Sequence, residues 1–449
     1  MNTYRRNEVR RSLKLSVLDG SAYAAMFGLT QNYITPLALA LKATTAQVGL
    51  LFSVPSLTMA LSQMAAPDLS ERAGSRKGLI LPVVFLHAIM FIPILLVPFI
   101  FDTSRVWWLI IFVTVSAVLG SISNPAWGSM MADLVPVRLR GRYFGSRGRI
   151  AGFITLVFSF IAGGILQIFT GNIFVGFAFL FGGATMFRLI SFYFLSRMYE
   201  PGQENGDEKG VGLSRIIKEV GSSNLGKFTL YFALIDFCTC ISAPFFTVYM
   251  LRDLNFNYAT FVIISSSSSM SSLLFQTFWG RRADIAGNIM VIRLTSMILP
   301  LIPLLWLVSS NVGYLVAANI VSGFAWSGFT LASINFLYDA SDARSRTRQI
   351  AFFNATDGVA VCLGALLGGY LVPHLPVILG YQLRTLFAVS GILRAVVVLL
   401  LLRRIIEVRR VPKMTPLQLL LGKSGAVFAG QNGRRCGNSK SNDTPENER

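Results

Sequence analysis

Runs of twenty or more residues that are mostly apolar and almost free of charge recur along the whole chain, and nothing else in the sequence restricts its fold as strongly. A hydrocarbon layer ~30 Å thick takes about 20 such residues as a helix, and backbone buried in lipid must satisfy its hydrogen bonds within the segment. The run from Leu79 to Phe101, LILPVVFLHAIMFIPILLVPFIF, carries no formal charge and cannot be a solvated surface helix. Twelve spans are predicted. The first six cover residues 15–41, 46–66, 79–101, 106–131, 150–170 and 172–196, and the last six cover 226–251, 257–279, 289–310, 312–338, 350–373 and 383–402. The first contains Asp19, Gln31 and Asn32 and is the least hydrophobic, yet it is longer than the apolar region of a signal peptide. The expected fold class is therefore an all-α integral membrane protein with twelve transmembrane helices.

Only 14% of residues are charged, against roughly 25% in soluble proteins, which argues against a soluble enzyme. Lys and Arg total 40 against 21 Asp and Glu, a net charge of +19 that by itself would suit a nucleic-acid partner. The distribution gives another reason for it. Thirty-four of the 40 fall in the N-terminal tail, in the loops after spans two, four, six, eight and ten, and in the C-terminal tail. The other face receives only Lys42, Arg105, Arg252 and Arg384. By the positive-inside rule both termini are cytoplasmic, which needs an even number of spans, and no nucleic acid is required as a partner. Two His and four Cys are too few and too scattered for a metal cluster, and no nucleophile constellation or phosphate loop rises above chance. An enzyme is not expected, and neither is a cofactor.

A shift of 206 residues superimposes Asp133, Arg138, Arg140 and Arg142 on Asp339, Arg344, Arg346 and Arg348. The match continues into the spans, with Gly152, Gly163 and Arg188 falling on Gly358, Gly369 and Arg394. Two six-helix halves are thus parallel repeats. The expected organisation is a basic tail over 1–14, a first bundle over 15–196, a cytoplasmic linker over 197–225, a second bundle over 226–404 and a basic, disordered tail over 405–449.

Twelve spans in two repeated halves joined by a longer loop resemble the major facilitator superfamily of secondary transporters. The loop after span eight, WGRRADIAGN, is similar to the family's signature loop through Gly280, Arg281, Ala283, Asp284 and Gly287, with Ile285 and Asn288 where basic residues are usual. The loop after span two, PDLSERAGSRKG, matches less closely: Glu71, Arg72, Gly74, Arg76 and Lys77 agree in type, while Pro67 replaces the leading Gly. Such loops turn on Gly, and their charges can latch one state of a rocking transporter. On this reading Glu71, Arg72, Gly74, Gly280, Asp284 and Gly287, together with Asp133, Arg142, Asp339 and Arg348, are cytoplasmic gating residues; plain anchoring to lipid headgroups is the alternative. Span five has SFIAGG without the Gly-Pro common in drug and proton antiporters, which demotes multidrug efflux.

Charges at membrane depth are costly and mark interiors, cavities or partners. Asp236 and Asp357 lie nine residues after Lys227 and Arg348, and Arg188 and Arg394 lie nine before Arg197 and Arg403. At ~1.5 Å per residue each sits roughly 13 Å above the cytoplasmic charge line. These four are the expected coupling and charge network. Arg394 is expected to pair with Asp357 on the neighbouring span, with Asp236 as the other choice, leaving one carboxyl free to titrate in proton coupling. Asp19, five residues past Lys14, reads as a helix-end group, and His87 as a peripheral one. The resemblance implies a cavity lined by spans one, four, seven and ten. Its candidate solute contacts are Gln31, Asn32, Tyr33, Asn124, Trp127 and Trp326, amides and aromatic rings suited to a polar organic solute. The serines between Ser265 and Ser272 read as small residues for close helix contact. The expected function is secondary active transport of a small organic solute across the cell membrane, driven by protons, by a monomer in lipid. An uncoupled uniporter and a non-transporting sensor or membrane-embedded enzyme are the competing readings.

Overall fold

The structure is a computed structural model that describes residues 3–72, 74–136, 139–201, 223–341, 346–378, 380–409, 411 and 418, with only the backbone described for 3–6, 64–72, 141, 347 and 348. The described residues are almost wholly helical. In the first half the helices are α1 (Thr3–Thr30), α2 (Ile34–Ala40), α3 (Thr45–Arg72), α4 (Arg76–Ile100), α5 (Arg105–Leu134), α6 (Arg140–Ile168) and α7 (Ile173–Ser196). In the second they are α8 (Asn224–Ser242), α9 (Tyr258–Ala286), α10 (Asn288–Ile298), α11 (Leu301–Val308), α12 (Val312–Ala340), α13 (Arg346–Leu371) and α14 (Gln382–Leu401). Three predicted spans are broken rather than continuous. Span one divides into α1 and α2 at Gln31–Tyr33, span nine into α10 and α11 at Leu299–Pro300, and span seven passes from α8 through Pro244 into the turns Phe245–Val248 and Tyr249–Asp253.

Eleven of the resulting segments are long and apolar enough to cross a membrane. The twelfth is α1, whose polar residues keep it below that threshold but which packs along α6 and α7. Large apolar side chains such as Phe99, Leu274 and Leu399 stay more than half exposed, as a lipid-facing surface requires. Helices overrun the hydrocarbon at their basic ends: α6 begins at Arg140, ten residues before the apolar run, so Arg147 sits on the helix itself.

In the first half α1 packs on α6 and α7, α4 on α5 and α7, and α3 on α5; in the second α8 packs on α13 and α14, α12 on α9 and α10, and α11 on α14. The halves meet along α3 with α13 and along α6 with α9. The glycines matched by the repeat lie at these seams. A Cβ on Gly369 would lie 3.1 Å from the Thr45 carbonyl, and one on Gly152 or Gly163 would come within 2.6 or 2.7 Å of Leu273 or Val262. A Cβ on Gly358 would collide with that of Ala60. Any side chain at these positions would push the halves apart.

The apolar core shows which end is closed. At the end carrying the α1–α2 break, one buried cluster runs through both halves, joining Tyr33, Leu37, Leu41 and Val48 to Phe245, Tyr249, Phe261 and Leu386. At the end carrying the chain termini the core divides, with Val84, Met130 and Leu195 in one cluster and Phe228, Trp279 and Phe336 in another. Each of those two clusters draws its buried residues from one half alone.

Candidate functional site

The first half buries a charge cluster around Asp19. Ser191 donates to Asp19 Oδ1 at 2.7 Å, and Arg188 Nη1 donates to Ser191 at 3.0 Å, so the Arg188 charge reaches the carboxylate through a hydroxyl. Arg188 Nε donates to His87 Nδ1 at 3.1 Å, which requires a neutral imidazole with its proton on Nε2. Arg147 adds an ion pair with Asp19 at 3.6 Å and a bond to the Ser16 carbonyl at 3.1 Å. Asp19 and Arg188 are each 4% exposed. Asp19 is therefore not a helix-end group and His87 is not peripheral: α1 starts at Thr3, so Lys14 does not mark the edge of the protein interior, and side chains from α6 and α7 close on Asp19 while His87 on α4 completes the cluster.

These groups line a cavity of about 120 Å³ with Tyr23, Ser123, Asn124 and Trp127. A second cavity, of about 390 Å³, lies between the halves and is lined by Asn32, Thr155, Ser159, Ser266, Ser268 and Trp326 among others. The serine run thus serves two faces. Ser271 donates to the Ile320 carbonyl at 2.7 Å and holds α9 against α12, whereas Ser268, Ser269 and Ser272 look into the cavity. Of the six candidate solute contacts, Asn124 and Trp127 fall in the first cavity and Asn32 and Trp326 in the second. Gln31 and Tyr33 line neither; Gln31 is exposed, and Tyr33 is fully buried with its hydroxyl donating to the Ser159 carbonyl.

In the second half Asp236 on α8 and Asp357 on α13 are in electrostatic contact across two helices that pack together. Arg394 does not pair with Asp357. Its guanidinium donates to the carbonyls of Leu299 at 3.2 Å and Thr239 at 3.5 Å and to Ser242 at 2.9 Å, and the carboxylate within its electrostatic reach is Asp236. The cause is helix order: α14 packs on α8 and α11, and α8 stands between it and α13. Adjacency in sequence did not give adjacency in the bundle.

At the termini end each half is clamped. Arg76 pairs with Asp133 at 2.7 Å, and Glu200 accepts from the backbone N–H of Arg76 and Lys77 at 2.8 and 3.2 Å, capping the start of α4. In the second half Asp339 accepts from Asn288 at 2.7 Å and pairs with Arg409 at 2.7 Å, while Glu407 caps α10 at the Ile289 N–H, 2.8 Å away. The hydrogen bond to Asp339 raises the Arg409 guanidinium above its ordinary value. The expected disorder from 405 onward is therefore wrong for its start, since Ile405 is fully buried and Glu407 and Arg409 are bonded. Gly74 and Gly287 both take positive φ, at 68° and 87°, as their turns require. Asp284 and Arg142 are exposed, and Gly280 is half-buried. The side chains of Glu71, Arg72 and Arg348, residues 202–222 of the linker and nearly all of the tail beyond Arg409 lie outside the described residues.

Two repeated six-helix halves closed over a cleft at one end, with ionisable groups buried in each, define a multi-pass membrane transporter rather than an enzyme. The family model described as Major Facilitator Superfamily matches residues 20–248 and 228–423, and the chain belongs to that superfamily. Among solved structures it is similar to the nucleoside transporter NupG, with TM-score 0.63, 16% identity, 88% of this chain and 98% of that one; a mutant form of NupG gives TM-score 0.69 at 14% identity, with 87% of this chain and 98% of that one. It is similar also to the xylose transporter XylE from E. coli, in a partially occluded inward-open conformation, with TM-score 0.65, 10% identity, 91% of this chain and 100% of that one. A bacterial homolog of the human lysosomal transporter Spinster, inward-facing and occupied, gives TM-score 0.62, 14% identity, 92% of this chain and all of that one. Curated protein sequences include no match.

Proposed function

We propose that the protein is a secondary active transporter of the cell membrane that moves a small organic solute by alternating access, coupled to protons, as a monomer with both termini in the cytoplasm. The observation that carries the reading is the Asp236–Asp357 contact. Two neighbouring carboxyl groups that are both half-buried favour sharing one proton, because like charges side by side repel. The contact joins α8 to α13, and α13 is also one wall of the seam between the halves. A change in its protonation therefore bears on the surface along which the halves rock. The undivided apolar core at the outer end and the divided one at the inner end fit a cytoplasm-open state.

The test is uptake and efflux in proteoliposomes with an imposed pH gradient. Solute concentrated against its own gradient when pH differs across the membrane is the expected result. Equilibration at a rate indifferent to pH would leave an uncoupled uniporter, and no movement of any solute would leave a sensor.

A further inference from the structure

The Asp19 cluster contains more cation than it can use. His87 accepts a hydrogen bond from Arg188 and is neutral, so two guanidiniums, Arg147 and Arg188, share the single carboxylate of Asp19. An unmatched charge inside a membrane protein is costly and is normally retained for a partner. Both guanidiniums are also set up as donors. The carbon of Arg147 lies 4.4 Å over the Trp127 ring and that of Arg188 4.9 Å over the Tyr23 ring. A cation–π contact uses none of the guanidinium N–H groups as hydrogen-bond donors. Each has five N–H groups, and the bonds to Ser16, Asp19, His87 and Ser191 leave several over. Both residues, with the two rings, line the same cavity, and its volume of about 120 Å³ far exceeds the ~10–15 Å³ that one water needs. Asn124 lines it too and is exposed, which makes it the mouth.

We propose that this cavity is an oxyanion subsite, in which Arg147 and Arg188 hold the carboxylate or phosphate of an organic solute beside the Trp127 and Tyr23 rings. The proposal rests on the transporter reading and gives it a substrate class. A bidentate guanidinium contact accounts for two Arg residues where a single Lys would supply the charge alone. Asp19 then has a definite duty: it holds Arg147 toward the cavity when the oxyanion is absent.

The experiment uses the purified full chain in detergent with four probes of similar size: benzoate, phenyl phosphate, benzyl alcohol and benzylamine. Thermal shift and tryptophan fluorescence are the readouts. Benzoate, phenyl phosphate or both should raise Tm and alter the fluorescence, and the two anions together tell carboxylate from phosphate recognition. Asn124→Asp, nearly isosteric at an exposed position, should weaken the anion response about tenfold by like-charge repulsion. Trp127→Phe should remove the fluorescence change while leaving a thermal shift. A response to benzyl alcohol or benzylamine equal to that for the anions, no response to either anion, or an anion response unaltered in both Asn124→Asp and Arg147→Gln would overturn the subsite. Anion binding without solute movement in vesicles would keep the subsite and remove the transporter; transport confined to neutral or cationic solutes would do the reverse.

Discussion

Asp236 and Asp357 are electrostatic neighbours on packed helices, and Oδ1 of Asp357 is buried with no N–H or O–H of the described residues reaching it. A carboxylate pair in that state needs a proton between its oxygens. Replacing either acid by Asn supplies an amide that hydrogen-bonds the remaining carboxylate without one. Asp236→Asn and Asp357→Asn should each abolish accumulation driven by a pH gradient, while counterflow exchange, which needs no net proton movement, continues. Uptake assays in the two modes measure this. If Asp236→Asn still concentrates solute like the parent, coupling lies elsewhere, and Asp19 becomes the carboxylate to test.

Arg394 and Asp357 do not pair, so their substitutions should add. Arg394→Leu removes the donor that satisfies the Leu299 and Thr239 carbonyls and Ser242, and should lower Tm markedly. Asp357→Leu removes a different contact. The double variant should lie near the sum of the singles, any departure running through Asp236, the neighbour both share. Recovery of stability in the double variant, as for a buried ion pair, would contradict the observed helix order.

How much of this was readable beforehand depends on the distance over which each signal acts. Span positions and the repeat were legible because hydropathy and a fixed offset are properties of the chain alone; Gly152, Gly163, Gly358 and Gly369, matched by that offset, all fell at the seams. The partners of Arg394 and the centrality of Asp19 were not, because they depend on which helices pack. Span order suggested α13 for Arg394, and the bundle supplied α8. Asp19 looked interfacial because a hydropathy window ends where charge begins, although the helix does not. Glu200 and Glu407 were missed, yet each follows the sixth span of its half by a few residues. Their offset of 207, one more than the repeat's, was the available signal.

Ser191 links Arg188 to Asp19, and its loss leaves both charges buried without their shared hydroxyl. Ser191→Ala should destabilise the protein by about 1–3 kcal/mol, the usual cost of stranding a buried polar group. Ser191→Thr keeps the hydroxyl and should recover most of that. Thermal unfolding in detergent compares the two; an alanine variant as stable as the parent would mean that Arg147 alone holds Asp19.

Two glycines at the turns of the termini end separate two kinds of cost. At Gly74 a Cβ meets nothing within 4 Å, so Gly74→Ala should cost only the positive φ, about 1–2 kcal/mol. Gly287 combines φ 87° with ψ 161°, a region almost confined to glycine, and its Cβ would collide with the Glu407 carboxylate. Gly287→Ala should therefore cost more than Gly74→Ala and should displace the Glu407 cap from the Ile289 N–H. Hydrogen exchange at the start of α10 reads that displacement directly, and equal Tm losses for the two variants would refute the distinction.

At the end carrying the α1–α2 break, three of the four cations are tied locally: Arg105 pairs with Asp102 at 3.6 Å, Arg252 with Asp253 at 2.9 Å, and Arg384 donates to Tyr249 and Ser310 at 2.9 and 2.8 Å. Thirty-four of the 40 basic residues fall in the two tails and the loops after the even-numbered spans, and under the proposed topology the positive-inside rule assigns these to the cytoplasm. Cys238, Cys240 and Cys362 are buried, so with Cys436 replaced by Ser the background for thiol labelling is low. Single Cys probes near Arg76, Gly210 and Ser345 should react with an impermeant maleimide only from the cytoplasmic side, and probes near Thr44 and Asn311 only from outside. A single helix, α12, separates Asn311 from Ser345, so the two must label from opposite faces if that helix crosses the membrane. Labelling of both from the same side would remove a span from the second half, and with it the equivalence of Arg188 and Arg394.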